Sequence, residues 1–160
     1  MIIDAYTHMT HRSYLDWLEK TGGAEAKRRA ARMRETARRI PSMDVGRRLA
    51  QLDRNNIDFQ VVVPEGGGNL QANDAAGRLA MARINNDGMA RLMEESKGKL
   101  IAGGTVPLTG FERGGRKEMT RAIKTLGLKA ITVPSHFKGK PLDAPEFEPL
   151  LAEAAVVEHG

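Results

Sequence analysis

The chain has 160 residues, 41% hydrophobic and 28% charged, with a formal net charge of +5 and a pI of about 9.7, which is enough for one globular domain with a real core. It contains no cysteine, so disulfides, thiolate metal sites and a cysteine nucleophile are excluded, and any metal falls to imidazole, carboxylate, amide or phenol oxygen. No basic region precedes an apolar core at the N-terminus and no apolar run approaches membrane-spanning length, so we expect no membrane partner and a cytoplasmic location.

The first element is an apolar strand, Met1-Ile2-Ile3, that runs into Asp4 and then delivers Tyr6, His8 and His11 within six residues. Strand side chains alternate, so Tyr6 and His8 share a side and can reach one metal ion. A phenol is the poorer ligand, and a single histidine at a strand end is more often a hydrogen-bonded structural residue. His11 has left the strand register and sits in the loop or begins the next helix.

The segment "GGAEAKRRAARMRETARRI" follows, with Ala26, Ala30, Met33, Ala37 and Ile40 spaced as one narrow apolar helical stripe. Its charge is local. Between Arg12 and Arg48 there are eleven Lys/Arg against five Asp/Glu, an excess that accounts for the net charge of the whole chain. A solvated helix face is the plain reading; the sharper one is a cap over an acidic substrate, with Arg38 or Arg39 aimed at a carboxylate. Nucleic acid is disfavoured, because only 4% of residues are aromatic and no binding motif is present.

After the break at "IPS", the run "MDVGRRLAQLDRNNID" places Val45, Leu49 and Leu52 on one helical face, and "FQVVVP" reads as a short strand buried on both sides. The glycines of "PEGGGN" match neither phosphate-loop pattern and read as a flexible strand-to-helix loop. A helix from about Gln71 to Lys97 presents Met81, Ile84, Gly88 and Leu92 on one face. "KLIAGGTVPL" is a third strand, and "ERGGRKEMTRAIKTLG" is a helix ending at Gly127. "LKAITVPSH" is a fourth strand, and "DAPEFEPLLAEAAVVEHG" begins a last helix with Gly160 at its C-cap.

This order predicts an α/β fold of parallel β/α units in one domain over 1–160, with an extra basic helix after strand 1. Chemistry in such folds gathers at the strand C-termini, here Tyr6, His8, Glu65, Thr105, Ser135 and His136.

Four segments, "MIIDAYTHMTHRSYLDWL", "RRLAQLDRNNIDFQVVVP", "INNDGMARLMEESKGKLIAGGTVPL" and "AIKTLGLKAITVPSHFKGKPLDAPEFEPLLAEA", resemble in order and spacing the amidohydrolase-related metal-dependent hydrolases, the group containing aminocarboxymuconate-semialdehyde decarboxylase and gamma-resorcylate decarboxylase. The resemblance implies half of a TIM-like (β/α)8 barrel, about four strands. It also implies one divalent metal, zinc ahead of manganese, and a decarboxylase or hydrolase acting on a small carboxylated, aromatic-derived substrate. In that family the first strand ends in H-x-H; Tyr6 stands at the first position and His8 at the second, so His8 carries over as a ligand and Tyr6 departs from the pattern. His136, with Arg38 and Arg39, is assigned to substrate contact. His159 is read as the last turn of the final helix rather than as a further ligand.

A complete barrel takes about 250 residues, so a working site would draw strands from a second copy, as a homodimer, or from a separate chain. The alternatives are a catalytically inactive half barrel serving as an assembly module and, less favoured, an anionic-ligand or nucleic-acid binder working through the basic helix.

Overall fold

Four strands, β1 (Ile3–Met9), β2 (Phe59–Pro64), β3 (Leu100–Thr105) and β4 (Ala130–Thr132), form one parallel sheet in sequential order. The coordinates are those of a computed structural model, which describes residues 1–65 and 74–159. Helices α1 (Arg12–Thr21), α2 (Ala24–Arg39) and α3 (Val45–Arg54) lie between β1 and β2, and α4 (Ala75–Glu95) lies between β2 and β3. A short helix, α5 (Gly115–Thr120), continues through a π-turn over Arg121–Thr125 before β4. A two-stranded antiparallel hairpin of β5 (His136–Phe137) and β6 (Lys140–Pro141) then leads to α6 (Glu148–His159). The predicted alternation of strands and helices is the one observed.

One sheet face is covered. Val62, Leu100 and Ala102 pack with Val45 and Leu52 of α3 and with Met89 and Leu92 of α4; full burial of a side chain of this kind is worth roughly 1.5–3 kcal/mol over leaving it exposed. Met9 lies in the same core, so alternation turns His8 to the opposite face, where it is exposed. A second core joins α1, α2 and α4 through Tyr14, Leu15, Leu18, Ala30, Met33, Met81 and Ala82. A third sits beneath α6, around Phe111, Met119, Phe147 and Leu150.

The basic helix is held lightly. Only Ala30 and Met33 of α2 are buried, and Ile40, read as part of the inward stripe, is the exposed C-cap. Surface ion pairs supplement this packing, with Arg34 reaching Asp16 at 2.6 Å and Glu19 at 2.9 Å on α1.

Other differences are local. The long helix starts at Ala75, capped by the Asp74 carboxylate accepting from the Gly77 N–H, while Gln71 and the glycines at 66–68 lie outside the described residues, as does Gly160. The fourth strand ends at Thr132, and His136 opens the hairpin instead of closing the strand. Pro134 lies between them, and a proline has no N–H with which to extend the ladder. Gly127 follows the π-turn at φ +71°, and the Leu128 N–H closes the end on the Ala122 carbonyl at 3.0 Å.

Candidate active site at the end of the first strand

The register of β1 against β2 slips between Asp4 and Thr7, so three steps on β1 oppose two on β2. Such a bulge bends a strand and re-aims its side chains. Beyond it, Tyr6 and His8 stand together on the open face, rings 5.2 Å apart and edge to face at 76°. Tyr6 is 63% exposed, and His8 is exposed too.

Behind this pair lies a residue that pattern reading passed over as one of many arginines. Arg48 on α3 is 8% exposed. Its Nε donates to the Pro41 carbonyl at 3.1 Å and its Nη2 to the His8 carbonyl at 3.3 Å. Burial lowers its pKa, and the Asp4 carboxylate offsets part of that effect. Asp4 itself accepts from Gln60 Nε2 at 2.6 Å. Arg48 follows Val45 by three residues and precedes Leu52 by four, so it lies on the apolar face of its helix; an arginine on that face is the signal that could have found it.

Arg38 and Arg39 are placed elsewhere. Their side chains are 79% and 80% exposed, and both pair with Glu35 on their own helix. His136 is exposed in the hairpin, with Nδ1 3.1 Å from the Ser135 hydroxyl. Glu65 lies half-exposed just past β2.

Thr105, at the end of β3, is buried and clamped. The Asn86 side chain accepts from its N–H at 2.8 Å and donates to its carbonyl at 3.0 Å. Asn86 also donates to Glu118 Oε1 at 2.7 Å, and the fully buried Glu118 accepts two bonds of 2.9 Å from Arg121. This network was likewise not read from sequence, although an asparagine beside the apolar stripe of α4 marks its position. The hydroxyls of Thr10 and Thr105 are buried without hydrogen-bond partners among the described residues.

A catalytic zinc takes three protein ligands, commonly histidine or carboxylate. Among the described residues, no three His, Asp or Glu side chains are grouped to hold one. Tyr6 and His8 alone therefore do not fit a complete metal site.

No family model matches the chain. It is 32% identical over 108 residues to a 2-amino-3-carboxymuconate-6-semialdehyde decarboxylase of Dictyostelium discoideum, a match covering 66% of this chain and 29% of that protein. The chain is a partial-length relative of the amidohydrolase-related decarboxylases. Its fold agrees with that kinship. 5-Carboxyvanillate decarboxylase from Sphingomonas paucimobilis superposes with a TM-score of 0.75 at 23% identity, over 98% of this chain and 49% of that one. The Novosphingobium aromaticivorans 5-carboxyvanillate decarboxylase, solved with manganese and a nitrobenzoic acid, gives 0.73 at 22% identity, over 99% and 49%. This relative of the amidohydrolase-related decarboxylases thus spans about half the length of the solved structures it matches, and its four strands form half of a TIM-like barrel.

Proposed function

We propose that the chain supplies one half of a decarboxylase site for a small carboxylated, aromatic-derived substrate. The observation that carries this reading is the pairing of the Tyr6 and His8 rings on the open face at the C-terminal end of β1, with the Arg48 guanidinium donating to the His8 carbonyl from behind the strand. In the proposal His8 serves as a metal ligand, with zinc ahead of manganese, and complementary strands from a second copy provide the remaining ligands. A buried guanidinium holds a carboxylate better than an exposed one, where water and salt screen the charge. Arg48 therefore replaces Arg38 and Arg39 as the proposed substrate anchor, and His136 is left to contact substrate from the hairpin.

Elemental analysis of the dialysed protein and of its His8→Ala variant tests the reading, together with carbon dioxide release from 5-carboxyvanillate. The expected result is a tightly held divalent ion, with chelator-sensitive turnover, both lost in the variant. Absence of metal and of turnover in both proteins would sink the proposal. It would favour a catalytically inactive half barrel, the reading suggested by the incomplete ligand set among the described residues. Binding of nucleic acid through α2 is less well supported, because Arg34, Arg38 and Arg39 are each already paired with acidic side chains.

A further inference from the structure

Away from Tyr6 and His8, a cleft of about 970 Å³ opens between α1, α2 and the start of α4. None of its lining residues comes from β1. Its apolar wall is Tyr14, Trp17, Leu18, Met33 and Met81. The volume falls within the range of small-molecule sites, and such a wall with a few convergent polar groups is their usual composition.

Two charged groups in it have no ion-pair partner among the described residues, and Tyr14, 3% exposed, lines the same cleft. Arg29 projects from the middle of α2, half-buried, and no described carboxylate lies within ion-pair distance of it. Glu65, at the end of β2, is half-exposed and equally without an ion-pair partner among the described residues. Arg29 and Glu65 line the same cleft as Tyr14, so a cation, an anion and a phenol border one space.

The remaining charges leave that arrangement in place. Arg32 and Glu25 are exposed, and the Asp74 carboxylate is engaged in capping α4. A purely anionic ligand would satisfy Arg29 and leave Glu65 repelled, while a purely cationic one would do the reverse. A ligand carrying both charges satisfies both.

We propose that this cleft binds a small zwitterionic aromatic acid, with its ring against Trp17 and Met33, its carboxylate on Arg29 and its ammonium on Glu65. The site is separate from the proposed decarboxylase site and does not depend on that reading.

Trp17 is the chain's single tryptophan, so its fluorescence reports occupancy directly. L-phenylalanine is the probe, compared with phenylpropionate, which lacks the ammonium, and phenethylamine, which lacks the carboxylate. We expect saturable quenching by L-phenylalanine at an affinity roughly tenfold or more above either analogue, as suits two charge-assisted contacts. Arg29→Gln should bring L-phenylalanine down to the level of phenethylamine, and Glu65→Gln down to that of phenylpropionate. His8→Ala should change neither the affinity nor the ranking. Circular dichroism melts of each variant establish that it is folded. Equal quenching by all three compounds, no saturable quenching, or folded variants that bind as the parent does would each overturn the assignment. Loss of binding in His8→Ala would also overturn it, by placing the ligand at β1.

Discussion

Arg48 carries the clearest conflict at the scale of single residues. It is a buried cation whose hydrogen bonds among the described residues go to carbonyls, those of Pro41 and His8. Replacing a buried charge with an apolar side chain of similar volume is often neutral or stabilising, while each donor lost to a carbonyl costs about 1 kcal/mol. The two effects nearly cancel, so Arg48→Met should shift the unfolding free energy by no more than about 2 kcal/mol. Substrate binding should nevertheless disappear. Urea titration together with calorimetric binding of 5-carboxyvanillate separates the outcomes: a large stability loss would make Arg48 a strut for β1 rather than an anchor. Glu118 is the opposite case. Its carboxylate is fully buried and joins Asn86 to Arg121 and Arg83, so removing it strands their donors. Glu118→Ala should cost roughly 3–5 kcal/mol in urea unfolding, and a cost below about 1 kcal/mol would show that the network behaves like a surface ion pair.

At the scale of elements, α1 is joined to the sheet and to α4 through its N-cap. His11 Nδ1 accepts from the Ser13 N–H at 3.2 Å and lies 2.8 Å from the Ser13 hydroxyl. Gly88 lets α4 come close here, since a Cβ at that position would stand 2.6 Å from the Cβ of His11. Burial lowers the His11 pKa below its ordinary 6.5, with Arg91 acting the same way and Glu95 against. Between the lowered folded value and 6.5 the unfolded chain therefore binds more protons than the folded one. Stability from this group is complete above pH 6.5 and is lost as pH falls through the folded value. Glu19 is held below its ordinary 4.5 by the hydrogen bond from Arg34, and its part in the acid dependence is common to the parent and a His11 variant. His11→Asn keeps a capping acceptor and does not titrate, so its unfolding free energy should fall less than that of the parent as pH drops from above 6.5 toward 5. Parallel slopes for the two proteins would remove His11 as the titrating group.

The same elements show what sequence could and could not supply. Short β-branched runs closed by proline, and stripes such as Val45, Leu49 and Leu52, declare strands and helices because burial requires that periodicity. The alternation of strands and helices followed from them, and so did Tyr6 and His8 sharing one side of β1. Glu118 escaped because a buried charge looks like a surface charge until distant partners such as Asn86 and Arg83 are known, and Arg48 escaped because its place on the apolar face of α3 is masked by the many arginines around it. Arg38 and Arg39 drew notice by their density in the chain, but density says nothing about which way a helix turns its arginines. The hairpin at His136 escaped because a three-residue strand followed by a proline gives too little pattern to separate strand from turn.

At the scale of the whole molecule, the sheet has two outer strands, β1 and β4, and one face carrying exposed Ile3, Tyr6 and His8. Unpaired strand edges are templates for association, and closed symmetry is the common way of satisfying them. A two-fold axis along the barrel would set β1 of one copy beside β4 of the other, parallel to it, and close eight strands. It would also bring two Tyr6–His8 pairs to one interior, doubling the candidate ligands available to a metal. The proposed homodimer therefore predicts a discrete two-chain species in sedimentation velocity over a range of concentrations. Ile3→Lys, which places a charge on the edge strand, should shift it toward monomer. A monomer at every concentration would leave His8 without ligands from a second copy and would move the search to strands from another chain. Open-ended aggregation would mean that the edges pair without the closure that the site requires.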